Sequence, residues 1–536
     1  MTAVLGDAFA PVAVSGTRKW WALGTLGLAG LAVGVDGTVL SVALPTLAKA
    51  LHASESDLQW FSSGYFLVLA AAMLPAGLLG DRYGRKKVLL ASLGVFGIGS
   101  AACAYSTSVA EFLAARVLIG LGGAGLIVMA FSVLTVLFSQ QERPKAVGVM
   151  AGVTFVAFPI GPILGGWLLS SYWWGWVFLI NVPVVVVSLA AVVALVPESR
   201  ATERPGLDLV GVVFSAGGLV AVTYGLIQAG QDGWSDIGAL AVMITGVALL
   251  VGFFAWERRL TRRPGGQPLI DLSLFSSASF TWGVILAVVP ILAMLGILFT
   301  MPQYFQGVLG ANAMGSGLRL LPLVAGLVAG AVPAARVVRL VGAKVAVTAG
   351  FVLLAAGLFT GAMTGVGSSG LFVGMWMALA GLGTGIAMAT AMSAALVELS
   401  ADKSGVGAAV LQAVNKIGGP FGIAVLGSVL SAGYLARLDL SGLPAAAAAT
   451  VRQSVFGGVA VAQKIHSAAL LASVRTAFVH GMDLALAVSA GIAVVGVVLT
   501  VVFLPASNAT EKAVPPGPAP DGEAVGTRPA AASRAR

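Results

Sequence analysis

Gly77-Leu78-Leu79-Gly80-Asp81-Arg82-Tyr83-Gly84-Arg85-Lys86-Lys87 separates two apolar runs, 59–79 and 88–106. The glycines permit a tight turn, and Asp81 can cap the next helix or pair with an arginine. Arg82, Arg85, Lys86 and Lys87 need water, whereas the runs on either side do not. Each run is about as long as the ~20 apolar residues that cross a bilayer. In hydrocarbon a backbone must satisfy its polar groups within its own helix. The stretch therefore reads as a short polar turn joining two spanning helices.

Working outward, apolar segments recur at about 20–44, 113–138, 147–169, 176–196, 208–228, 237–256, 279–300, 317–337, 345–363, 371–396, 407–432 and 482–504, which makes fourteen in all. Apolar residues make up 58% of the 536, charged residues only 10%, and mean hydropathy is +0.98. A soluble domain carries roughly 25% charged residues, so an all-α polytopic membrane protein is expected. The 71 glycines fit closely packed membrane helices. Net charge is +9, but the basic residues stand in short turns, so they point to topology rather than nucleic acid.

Arg18, Lys19, Arg82, Arg85, Lys86, Lys87, Arg143, Lys145, Arg200, Arg204, Arg258, Arg259, Arg262, Arg263, Arg336, Arg339, Lys344 and Lys403 fall in one set of turns; the opposite short turns hold Lys49 and Arg319. Eighteen against two predicts that the basic side is cytoplasmic, with both termini there. Arg437, Arg452, Lys464 and Arg475 lie in a longer stretch, about 433–480, which the rule weights less and which reads as a helical hairpin outside the membrane. Trp20 to Leu44 is too long for a signal-peptide core of about 7–15 residues and reads as the first span. The tail from 505 to 536 is rich in Pro, Gly and Ala and is expected to be disordered. Cys103 is the single cysteine, which excludes an internal disulfide and a cysteine-based metal cluster. His52, His466 and His480 fall outside the apolar segments, and no metal site is expected. No Gly-x-x-x-x-Gly-Lys-Ser/Thr loop is present, so ATP is not the expected direct energy source.

Several polar groups interrupt the spans. Asp36 reads as the one carboxylate well inside an apolar segment, and Arg116 enters the fourth. Ionisable groups at such depth are costly and face cavities or partners. Asp36 is a candidate proton carrier, a cation-binding group, or both, and the alternative is a buried ion pair with Arg116. Ala157, Gly161 and Gly165 are four apart and bare one helix face, while Pro162 kinks the helix. Gln412, Asn415 and Lys416 form a polar patch ahead of Gly418-Gly419-Pro420; it is either cavity-facing or, for Lys416, a cation snorkelling to the surface. Gln303 and Gln306 are lesser candidates near the end of the ninth segment.

The order Gly-x-Leu-x-Asp-Arg-x-Gly-Arg-Lys in the opening loop resembles the signature loop of the major facilitator superfamily. That resemblance implies two six-helix bundles rocking about a central cavity, with Gly77, Asp81, Arg82, Gly84, Arg85 and Lys86 forming a gating loop that latches the outward-open state. Gly161-Pro162-Ile163-Leu164-Gly165-Gly166 is similar to the superfamily's antiporter motif, with Ala157 where the pattern begins on Gly. Arg116-Val117-Leu118-Ile119-Gly120 resembles its fourth-span motif, tied to proton translocation, with Ile119 in place of a glutamine. Asp36-Gly37-Thr38-Val39-Leu40-Ser41 and Trp174-Gly175-Trp176-Val177-Phe178-Leu179-Ile180-Asn181-Val182-Pro183 resemble the fourteen-span drug:proton antiporter branch. Ser41, where Asn is usual, is a further candidate cavity residue, and Gly175 stands where Arg is usual. The aromatics of the second string read as an interfacial belt. Arg336 to Lys344 looks like a weakened repeat of the opening loop, with Val338 at the Asp position.

The organisation expected is a cytoplasmic N-terminus (1–19), a six-helix bundle (20–197), two linker spans (208–256), a second bundle (277–504) and the tail. The expected function is proton-coupled efflux of small amphipathic drugs or antibiotics across the cytoplasmic membrane, by a monomer that needs no cofactor beyond the proton gradient. The alternatives are a dedicated self-resistance exporter of one endogenous antibiotic or metabolite and, in another class, a membrane sensor that transports nothing.

Overall fold

The computed structural model describes residues 16–139, 141–200, 208–263, 268–397, 399 and 401–505; among these the chain is helical, with no strand. The N-terminal part comprises α1 (Gly16–Ala50), α2 (Glu55–Tyr83), α3 (Arg85–Ala104), α4 (Val109–Leu137), α5 (Arg143–Ser171), and α6 (Trp176–Leu179) with α7 (Asn181–Leu195), which share one crossing. The pair α8 (Leu209–Asp232) and α9 (Ile237–Thr261) follows. Then come α10 (Ala278–Gln303), α11 (Ala313–Arg319), α12 (Leu321–Ala331), α13 (Ala334–Val341), α14 (Ala343–Gly361), α15 (Gly370–Val397), α16 (Ala401–Arg437), α17 (Ala445–Gln453), α18 (Val455–Lys464) and α19 (Ala468–Phe503).

Thirteen of these helical stretches are long and apolar enough to cross a membrane among the described residues. All fourteen sequence segments coincide with helix; the remaining one is α5, 29 residues long, with a described apolar part at Val156–Ser171. The protein is therefore a multi-pass membrane protein. Large apolar side chains such as Ile237, Ile244, Val251 and Phe254 of α9 stand exposed, as lipid-facing residues do.

Helix starts follow side-chain caps. Ser54 and Asp57 form a reciprocal capping box at α2, and Ser108, Asp208, Asp236, Ser277, Asn312 and Ser467 cap the helices that follow them. Two turns need glycine. Gly84 (φ +113°) ends α2 and opens α3; Gly342 (φ +81°) ends α13 and opens α14.

The helices overrun the apolar segments. Both α16 and α19 extend into the stretch read as a loop over 433–480, because Gly433 and Gly481 bring them close enough for Gly433 to meet the Gly481 backbone. Only 438–467 lies outside them, folded as α17 and α18 and tied to α16 by the Tyr434 hydroxyl donating to Val451 O at 2.7 Å. The pair α8–α9 docks on α16, where Gln231 Nε2 donates to Ser431 Oγ at 3.0 Å, and on α2, where Trp60 and Tyr224 rings lie 6.2 Å apart. The expected disordered tail, residues 1–15 and Arg204 lie outside the described residues, as does the side chain of Lys403.

Candidate functional site

A cavity of ≈ 270 Å³ lies between the two halves. Its walls come from α1, α2, α4 and α5 on one side and α10, α15 and α16 on the other. Phe131 of α4, Met150 of α5, Met392 of α15 and Gln412 of α16 belong to the ends of their helices that carry the basic turns. Phe66 and Tyr65 reach it from α2 at greater depth. Of the sequence candidates, Gln412, Asn415 and Lys416 line this cavity together, at the i, i+3, i+4 spacing of one helix face. Ser41 does not: it is buried and spends its hydroxyl on Thr38 O at 2.7 Å within α1.

The opposite end is closed. Gln303 Nε2 donates to Glu55 Oε1 at 3.1 Å, joining α10 to α2, and Gln306 Nε2 donates to Val42 O at 3.1 Å, joining the turn after α10 to α1. Gln59 of α2 is wholly buried against Gly427 of α16. The antiporter-type face of α5 is divided between two neighbours. Ala157, Gly161 and Gly165 lie against Gly34, Thr38 and Val39 of α1. Gly166 lies against α11, where an added methyl would stand 2.8 Å from Met314 Cα, and Gly317 of α11 packs on Pro162 O. Contacts between the two halves thus seal the far end, and the cavity lies toward the basic end.

Just beyond its floor sits the charged pair. Asp36 and Arg116 are buried at 0% and 1% exposure and meet at 2.7 Å. Asn181 Nδ2 approaches Asp36 Oδ1 at 3.4 Å and Ser100 Oγ at 3.3 Å. Arg116 Nε donates to Phe61 O at 3.1 Å, and the guanidinium lies 4.4 Å from the centre of the Tyr65 ring. Tyr65 also lines the cavity and donates its hydroxyl to Val33 O at 3.1 Å. It thus touches both the cavity and the charged pair. Ile119, where the family pattern has a glutamine, packs against Gly99 of α3.

The Asp81 loop is a local brace. Asp81 Oδ1 meets Arg85 at 2.9 Å, and Arg85 Nη1 donates to Ser132 O of α4 at 3.3 Å. Lys86 N donates to Glu198 Oε1 at 3.1 Å and Lys86 Nζ to Val193 O at 2.8 Å. Gly77 and Gly80 admit Val128 and Met129 of α4, and Gly84 leaves room for Glu198, which a side chain there would displace; Arg82 lies beside Tyr83. In the repeat, Gly342 N bonds Val338 O as Gly84 N bonds Gly80 O. Counting back from the shared glycine therefore puts Arg339, not Val338, opposite Asp81. On the same basic face Lys19 pairs with Glu142, and its hydrogen bond holds that carboxyl below the usual carboxylate range.

Asp36 is not the lone carboxylate among the spans. Glu55 at the head of α2 and Glu257 near the end of α9 are buried, and Asp483 lies well inside α19. Helices longer than their apolar cores take in residues that flank those cores. Asn181 was hidden in an aromatic string, although a lone amide between Ile180 and Val182 was the available signal.

Two helical halves around a central cavity, closed at one end, with a charged pair buried beneath it, are the architecture of a membrane transporter. Residues 26–423 match the Major Facilitator Superfamily, and the chain belongs to it. It is 33% identical over 505 residues to the tetracenomycin C resistance and export protein of Streptomyces glaucescens, covering 91% of this chain and 92% of that one. It is 32% identical to the multidrug efflux pump LfrA of Mycolicibacterium smegmatis (90% and 96% covered) and 32% identical to the methyl viologen resistance protein SmvA of Salmonella typhimurium (88% and 96%). Among solved structures it resembles a bacterial homologue of the human lysosomal transporter Spinster, at TM-score 0.68 and 15% identity over 91% of this chain and 97% of that one.

Proposed function

We propose that the protein exports small amphipathic drugs or antibiotics across the cytoplasmic membrane in exchange for protons, working as a monomer with the basic end in the cytoplasm. The observation that carries this reading is the cavity between the two halves, closed at the far end, with Asp36 and Arg116 paired just beyond its floor. The similar proteins named for export and resistance support it. Substrate enters from the basic end. A proton arriving from the far side neutralises Asp36 and removes the partner of a buried guanidinium. Such a charge, left unpaired, is worth several kcal/mol, enough to drive repacking of α1 against α4. Tyr65 carries the change to the cavity wall, since its ring supports Arg116 and its hydroxyl holds α1.

The two halves, 20–197 and 277–504, then rock about the cavity with 208–256 riding as a linker. The far-end contacts of Gln303, Gln306 and Gly166 part, and the Asp81 loop latches the opposite state. The test is a resistance and efflux panel in a pump-deficient bacterial host, repeated with a protonophore. Efflux of at least one amphipathic compound, lost on adding the protonophore while ATP is maintained, is expected. Efflux that survives the protonophore would reject proton coupling. A pump dedicated to one compound would respond to a single chemotype in the panel, and the likeness to a tetracenomycin C export protein favours including antibiotics of producing organisms.

A further inference from the structure

We infer that the cavity selects amphipathic aromatic molecules bearing an anionic group, with Lys416 as their counter-charge; this rests on the cavity being the substrate site. Among the described residues that line it, Lys416 is the only basic side chain, and no carboxylate is there. Asp36, the obvious partner for a cationic drug, is not on the wall: it is fully buried and bonded to Arg116. Neither an ion pair nor a hydrogen bond to a protein acceptor is made by Lys416 among the described residues.

Snorkelling does not account for that lysine. Gly419, less than one turn further along α16, packs against Phe66, and Phe66 in turn packs against Gly37 beside Asp36. Lys416 therefore stands near the depth of the charged pair rather than at the membrane surface. An ionisable group at that depth marks a substrate or ion path.

The remaining polar groups are neutral and bring no carboxylate to the cavity. Thr38 and Tyr65 spend their hydroxyls on backbone carbonyls of α1 and α5. Gln412 and Asn415 share the Lys416 face and offer amides; Asn415 Oδ1 has no protein partner, and its Nδ2 has only Met392 sulfur at 3.8 Å. Phe66, Phe131 and Phe158 face this polar strip from the other half, with Met294 and Met388 beside it. Flat rings on apolar and thioether walls, with one ammonium and two amides at an edge, fit an aromatic carboxylate or phenolate. They do not fit a quaternary cation, which would meet Lys416 with no carboxylate to offset it.

The experiment measures equilibrium binding to the full-length protein in nanodiscs of uncharged lipid. The probes share one ring system and differ in charge: 9-anthracenecarboxylate, its carboxamide, and (9-anthracenylmethyl)trimethylammonium. The carboxylate is expected to bind about tenfold more tightly than the carboxamide, a difference of ~1.4 kcal/mol, and the ammonium most weakly. Lys416→Gln should erase the preference for the carboxylate over the carboxamide, and Lys416→Arg should keep it. Equal or tighter binding of the ammonium by the wild type, absent binding of the carboxylate, or an unchanged preference in Lys416→Gln would each overturn the inference. Because binding is read without transport, a failure of the export reading shows separately, as preferential binding of the carboxylate in a protein that moves no compound.

Discussion

In the proposed exchange Asp36 and Arg116 carry two separable roles, structural tie and proton path, and substitution distinguishes them. Asp36→Asn leaves the buried guanidinium without its counter-ion, which costs about 3–5 kcal/mol when one partner of a buried pair is removed. The single variant is therefore expected to melt earlier and to show no substrate-driven proton movement in reconstituted vesicles. Asp36→Asn with Arg116→Gln removes both charges and should regain most of the lost stability while still moving no protons. Recovered proton movement in the double variant would show that the pair is only a structural tie. This site was legible because a carboxylate and an arginine inside glycine-rich apolar runs have few alternatives. The ion pair was one of the readings offered by the sequence; that Asn181 and Tyr65 surround it was not legible, since they come from two other helices. Glu55 was missed for a different reason. It lies four residues before its apolar run, and it is buried where Gln303 of α10 reaches it across the far end.

At the scale of the element, α5 shows how one motif serves two interfaces. Its glycines and Pro162 were readable as a bare, kinked helix face; that Gly161 faces α1 and Gly166 faces α11 depends on how the two halves meet, which spacing does not contain. The division makes different outcomes expected for the same substitution. Gly161→Leu should push Thr38 and Val39 away and destabilise the N-terminal half in every state. Gly166→Leu should spare that half and prevent closure at the far end. In a Cys103→Ser background, a cysteine at Gln303, a position fully buried here, should label several-fold faster with a membrane-impermeant reagent when Gly166→Leu is present. Unchanged labelling would mean that this contact does not gate the far side. The same closure buries Gln59 with neither amide atom bonded to a protein group. A polar group left so is worth about 1–3 kcal/mol, so Gln59→Leu should stabilise the closed far end and lower the rate of the same labelling. Faster labelling would refute that assignment.

For the whole molecule, the signs of the two moving charges decide the energy source. Fold class and the number of apolar segments followed from composition and hydropathy, whereas the cavity's charge emerged only once α16 had been placed opposite α1 and α2. If the exported molecule is an anion seated on Lys416 and a proton enters through Asp36, each one-for-one exchange carries two positive charges inward. At about 2.3 kcal/mol per charge per 100 mV, an inside-negative potential of that size supplies ~4.6 kcal/mol, a gradient of roughly 2,000-fold. Exchange of a monovalent cation for one proton moves no net charge, and the same potential then supplies nothing. Proteoliposomes with the pH equal on both sides and a potassium–valinomycin potential distinguish the two. The potential alone should drive 9-anthracenecarboxylate several-fold away from equilibrium, toward the side made positive, and reversing it should reverse the direction. The response should vanish in Asp36→Asn with Arg116→Gln if proton and anion are obligatorily exchanged. Carboxylate movement that follows an imposed pH gradient but ignores the potential would mean that compensating charge moves with it. The one-for-one exchange of an anion for a proton would then be wrong.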